Sequence, residues 1–119
     1  MNVLHFHLSE FCRYAVESKA FPQLSANLSA GMNRGFYTAA EVRALVAQAK
    51  LRGIRVIPEY DVPGHQGRNM GRVPEMKWCG SRPPASGDYQ WELFDDAAGS
   101  TFAALSKLYR ELIALFPDR

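Results

Sequence analysis

Polar and apolar positions along the chain alternate with two periods. Residues 1–8, Met-Asn-Val-Leu-His-Phe-His-Leu, read as a strand. Val3, Leu4, Phe6 and Leu8 supply apolar bulk, and His5 and His7 share one face by the period-two rule. Residues 9–35 form a long connection without a sustained period. Thr38-Ala39-Ala40-Glu41 is a capping box, and Val42, Leu45, Val46 and Ala49 follow at helical spacing, which predicts a helix over 39–52. Gly53 stands at the stop position, and the apolar run from Ile54 predicts a second strand over 54–60. A second long connection, 61–99, is rich in Gly and Pro. Ser100 or Thr101 is expected to open a last helix, 100–116, with Phe102, Leu105, Tyr109, Leu112, Ile113 and Phe116 as its buried stripe and Pro117 as its stop.

This order is strand, helix, strand, helix, with long loops after each strand. It predicts an α/β fold with parallel strands joined by a helical crossover. Both strands read as buried on both faces, so they expect neighbours on either side. The expected architecture is therefore a piece of a larger barrel or doubly wound sheet, truncated at both ends. Residues 1–119 are read as one such piece rather than as two domains. Open sheet edges and unpaired apolar faces predict that the isolated chain aggregates.

Composition narrows the function classes. The chain is 47% hydrophobic and 22% charged with a net charge of +2, which gives no argument for nucleic acid or an anionic membrane. No apolar run approaches the about 20 residues that a membrane span needs. No basic segment precedes an apolar core at the N-terminus, so no signal peptide is expected. Cys12 and Cys79 have no metal spacing, and either free thiols or one bridge fits them. Asn27-Leu28-Ser29 is a glycosylation sequon with little weight of its own.

Candidate chemistry gathers at the ends of the two strands. Glu59, Asp61 and His65 place three titratable groups just past the carboxyl end of the second strand. They read equally as an acid–base or charge-relay group and as solvated loop acids with a helix-capping aspartate. His5 and His7 could present two imidazoles to one metal, but they read more readily as core histidines bonded to neighbours. Glu10 lies just past the first strand. Parallel strands would put it on the same sheet edge as His65, so a Glu10–His65 pair is expected. Trp78, Tyr89 and Trp91 suit stacking on sugar rings or burial of the loop. Arg13, Arg68 and Arg72 are given no role.

Four blocks of sequence carry a resemblance. They are Asn2-Val-Leu-His-Phe-His-Leu-Ser-Glu10, Val16-Glu-Ser-Lys-Ala-Phe-Pro-Gln-Leu24, Gly35-Phe-Tyr-Thr38 and Arg52-Gly-Ile-Arg-Val-Ile-Pro-Glu-Tyr-Asp-Val-Pro-Gly-His65. In order, spacing and identity the chain resembles an internal part of the family 20 glycoside hydrolases, the β-N-acetylhexosaminidases. The resemblance implies a TIM barrel with residues 2–8 as its second strand and 54–60 as its third. It implies hydrolysis of terminal, non-reducing β-linked N-acetylglucosamine or N-acetylgalactosamine, with retention assisted by the substrate's own acetamide. It implies a glycan substrate and no cofactor, and is compatible with a homodimeric parent in a lysosomal or secreted setting. His65 matches the histidine that contacts the family's acid/base glutamate. Glu10 matches the aspartate behind that histidine, with one more methylene than usual, and Phe11-Cys12 departs from the residues that often follow. Asp61 matches an aspartate beside the pocket. The family's catalytic Asp-Glu pair, after a Gly-Gly at the end of the fourth strand, is not in these 119 residues, so the chain alone is expected to be inactive. Two other readings stay open: a metal-dependent TIM-barrel hydrolase using His5 and His7, and a non-catalytic sugar-binding barrel.

Overall fold

A computed structural model describes residues 2–10, 13–26, 35–62, 64–65, 73–78, 94–95 and 99–117. Strand β1 (Val3–His7) is followed by the short pair β2 (Ser9–Glu10) and β3 (Arg13–Tyr14). Helices α1 (Gln23–Ala26) and α2 (Ala39–Leu51) lead to β4 (Arg55–Glu59), then β5 (Lys77–Trp78), β6 (Phe94–Asp95) and helix α3 (Ser100–Leu115). β1 and β4 pair in parallel, with Val3 opposite Arg55, His5 opposite Ile57 and His7 opposite Glu59. The expected α/β order and parallel crossover are present. The β2–β3 and β5–β6 pairs lie inside stretches that the sequence shows only as long connections.

Each crossover junction has a local cause. At the start of α2 the Thr38 hydroxyl accepts from the Glu41 amide at 3.2 Å, and the Glu41 carboxylate accepts from the Thr38 amide at 2.7 Å. Glu17 adds a second carboxylate there, taking the Ala39 amide at 2.9 Å, where the helix dipole favours negative charge. At the other end Gly53 adopts φ 66. Its amide bonds Lys50 O at 3.0 Å and the Ile54 amide bonds Ala49 O at 2.9 Å. That 5→2 and 6→1 pattern is a Schellman turn, and it delivers the chain directly into β4.

The core lies between the sheet and the two long helices. Leu4, Phe6 and Val56 point from the strands toward Val42, Val46 and Ala49 of α2, and Leu108, Leu112 and Leu115 of α3 complete the cluster. The opposite face of the sheet carries Val3, His5, His7 and Ile57, all exposed. Within these residues the strands are thus buried on one face, and the other face is left open to the neighbours that the strands were expected to have. Among the described residues nothing covers the second face.

The expected stripe of α3 is present in part: Leu112 and Phe116 are buried, and Leu105 and Tyr109 pack against the core. Thr101, Ala104, Leu108, Leu112 and Leu115 are buried, whereas Phe102 is 70% and Ile113 66% exposed. Two apolar lines overlap on this helix, and polar contacts choose between them. Glu111 accepts from the Ser18 hydroxyl at 2.7 Å and from the amides of Lys19 and Ala20 at 3.1 and 2.9 Å. These contacts hold α3 with Leu108, Leu112 and Leu115 turned inward. The helix is preceded by Gly99 in the left-handed region, φ 69, without a side-chain cap. The hydroxyls of Ser100 and Thr101 instead donate to Glu75 O, at 2.9 and 3.5 Å.

Candidate active site

The site starts from the packing beneath the carboxyl end of β4. Tyr60 is buried and meets Tyr14 and Tyr109 edge-on, with ring centroids 5.6 and 5.5 Å apart. Such aromatic pairs contribute about 0.5–1.5 kcal/mol beyond their buried area. Burial pushes the Tyr14 and Tyr60 hydroxyls up in pKa, so both stay neutral. The Tyr109 hydroxyl reaches Tyr60 O at 3.4 Å. The strand end is therefore tied to both β3 and α3.

The two strand ends are also stitched to each other. The Leu8 amide donates to Glu59 O at 3.0 Å, which extends the parallel ladder by one residue. The buried Ser9 hydroxyl accepts from the Asp61 amide at 3.0 Å. Past this point the chain turns at Gly64–His65, and His65 takes φ 61. A left-handed residue with a β-carbon costs about 1–2 kcal/mol, and such outliers gather where geometry serves a site.

On this frame the titratable groups form a chain. Glu59 pairs with the His5 Nε2 through one oxygen and with the His7 Nδ1, at 2.5 Å, through the other. The His7 Nε2 faces a Glu10 oxygen at 3.4 Å, and the other Glu10 oxygen meets the His65 Nδ1 at 2.9 Å. The Glu59 hydrogen bond raises the His7 pKa, with Glu10 and Asp61 adding to it against burial. His7 in turn lowers the Glu59 pKa. The Glu10 hydrogen bond and charge raise His65, while the His7 charge lowers it.

Glu10 and His65, expected as a pair, are thus in contact. Asp61 is half-buried beside them, with its backbone fixed by Ser9. The side chains of His5 and His7 are 64% and 43% exposed among the described residues, and each is bonded to a neighbour, Glu59. Glu59, which the sequence groups with Asp61 and His65, is the partner of both imidazoles. The signal was available in principle, since a parallel register with His7 opposite Glu59 puts both on one face. Donor atoms of His7, Glu59 and Asp61 lie within 4.8 Å of one another, close enough to consider a cation. Both Glu59 oxygens are already engaged by imidazoles, so the grouping is satisfied as a hydrogen-bonded chain. Cys12, Cys79, Arg68, Arg72, Tyr89, Trp91 and the sequon at Asn27 lie outside the described residues, and Trp78 is described only as part of β5.

Comparison with known proteins matches the chain to one family. The family model for glycosyl hydrolase family 20, catalytic domain, matches residues 1–119. The beta-hexosaminidase subunit beta of Felis catus is 35% identical over 118 residues, covering 98% of this chain and 22% of that protein. The subunit alpha of Rattus norvegicus shows the same identity and coverage over 118 residues. This chain thus spans about 22% of the length of these curated relatives. Among solved structures, the beta-N-acetylhexosaminidase of Bacteroides fragilis superposes with a TM-score of 0.79 at 28% identity, over 99% of this chain and 24% of that one. A mutant Streptomyces plicatus beta-hexosaminidase solved with the product GlcNAc gives 0.81 at 26%, over 99% of this chain and 25% of that one. The relatives are glycoside hydrolases, and the chain belongs to glycosyl hydrolase family 20, with the sequence of its catalytic domain.

Proposed function

We propose that this chain is part of a β-N-acetylhexosaminidase that removes terminal, non-reducing N-acetylglucosamine or N-acetylgalactosamine from glycans. β1 and β4 would be the second and third strands of its TIM barrel. The single observation that carries the reading is the 2.9 Å Glu10–His65 contact at the carboxyl ends of two parallel strands, in a chain matched to the family along its whole length.

In a retaining, substrate-assisted mechanism the acetamido oxygen attacks the anomeric carbon and a protonated glutamate delivers its proton to the leaving oxygen. Neither that glutamate nor its neighbouring aspartate is in these residues. The chain supplies the support. A carboxylate behind an imidazole fixes its tautomer and stabilises its charged form, and the imidazole then tunes the acid that it touches. Glu10 and His65 are assigned that relay, and Asp61 a place beside the pocket. The extra methylene of Glu10 still leaves its carboxylate in hydrogen-bond contact with His65.

The test is turnover of a chromogenic N-acetylglucosaminide by the protein that carries this chain, with Glu10→Gln and His65→Asn as variants. Each variant is expected to lower kcat by about 10–100-fold, within the range of a misplaced acid–base group. No turnover by the parent, or full activity in both variants, overturns the assignment.

A further inference from the structure

His7 lies between two carboxylates on two different elements. Its Nδ1 is 2.5 Å from Glu59 on β4, and its Nε2 is 3.4 Å from Glu10 on β2. An imidazole donates through both nitrogens only when it carries both protons. Glu59 is anchored in turn by His5, on the same face of β1. The second oxygen of Glu10 is the one that meets His65. One carboxylate is thus divided between two imidazoles, and among the described residues His7 is the one with a second carboxylate, Glu59, on its other side.

We propose that His7, held as an imidazolium by Glu59, shares the Glu10 carboxylate with His65 and so limits the negative charge that Glu10 brings to His65. His7 and Glu59 are then positioning residues acting on the relay. The catalytic consequence rests on the hexosaminidase reading, but the electrostatic arrangement does not. Among the described residues the groups that face His65 are Glu10, Asp61 and His7, and those that face His7 are Glu59, Glu10 and Asp61; in the complete protein the acid/base glutamate would face His65 as well. Exchanging Glu59 for a neutral amide leaves His7 with weaker support for its second proton. The Glu59–His7 pair then goes from one negative and one positive charge to none. Since His7 is the nearer of the two to Glu10 and His65, the loss of its positive charge dominates at His65. The arrangement suits this site, whose carboxylate is a Glu with reach enough for both imidazoles.

The experiment is a histidine titration by NMR of the complete protein, isotope-labelled at histidine, with His65 assigned through a His65→Asn variant. Glu59→Gln and His7→Gln are each expected to move the His65 midpoint upward, and Glu10→Gln to move it downward. If His7 and Glu59 were only scaffolding for Glu10, their variants would release Glu10 and move His65 downward, as Glu10→Gln does. A downward shift or no shift overturns the proposal. His7→Gln tests the same point without altering β4, so poor folding of one variant leaves the other decisive. In the active enzyme the limb of the kcat profile that follows His65 should move with the NMR midpoint, while KM stays unchanged. An NMR shift without turnover would separate failure of the glycosidase reading from failure of this one.

Discussion

Replacing Ser9 by alanine tests whether the frame under the site holds its geometry. Ser9 is 1% exposed, and its hydroxyl accepts from the half-buried Asp61 amide at 3.0 Å. The substitution removes one oxygen and leaves almost no cavity, so the loss is nearly all hydrogen bond. A buried donor left without its partner costs about 1–3 kcal/mol. Partial exposure of Asp61 lets water recover some of this, which places the expected loss at about 1–2 kcal/mol. The functional effect should be larger than stability alone suggests. The Ser9–Asp61 contact joins the segment that carries Glu10 to the segment that carries His65, and a displacement of about 1 Å can cost about 100-fold in rate. The assay is urea unfolding of Ser9→Ala together with its kcat, measured where the protein stays folded. Unfolding free energy and kcat both equal to those of the parent would refute the claim that this hydroxyl sets the geometry.

Other perturbations address separate parts of the account. Glu111→Ala removes the acceptor for Ser18, Lys19 and Ala20 and should destabilise by about 2 kcal/mol in denaturant unfolding, with Glu111→Gln recovering part of it. Gly53→Ala meets no atom within 4 Å, so only its φ of 66 resists the change, and a loss of about 1–2 kcal/mol is expected. The Glu59–His7 pair should make stability depend on pH. The His7 pKa is raised, so its contribution is complete below its ordinary 6.5 and is lost as pH rises through the folded value. The Glu59 pKa is lowered, so its contribution is present above its ordinary 4.5 and is lost as pH falls through the folded value. The melting-temperature gap between the parent and Glu59→Gln should therefore be widest between pH 4.5 and 6.5, and a gap independent of pH would contradict the pairing.

Elements with strong local signals were legible in the sequence. The Thr38 box and Gly53 bound α2 as expected, because each acts within a few residues. Parallel pairing followed from the order of elements, and with it the meeting of Glu10 and His65, 55 positions apart. What the sequence hid depends on partners distant along the chain. Phe102 and Ile113 look as buriable as Leu108, and the face of α3 that turns inward is the one that packs on the core while Glu111 bonds residues 18–20. Ser100 and Thr101 look like caps, yet their hydroxyls serve the Glu75 carbonyl. The shared partner of His5 and His7 stays hidden until the register brings Glu59 opposite His7.

The central claim is that these strands carry the supporting half of a substrate-assisted glycosidase. The most direct measurement compares two chromogenic substrates of the complete protein, a β-N-acetylglucosaminide and the matching β-glucoside without the acetamide. The account predicts turnover of the first and no measurable turnover of the second, since the acetamido oxygen is the nucleophile. Equal turnover of both, or hydrolysis of the glucoside alone, would contradict it.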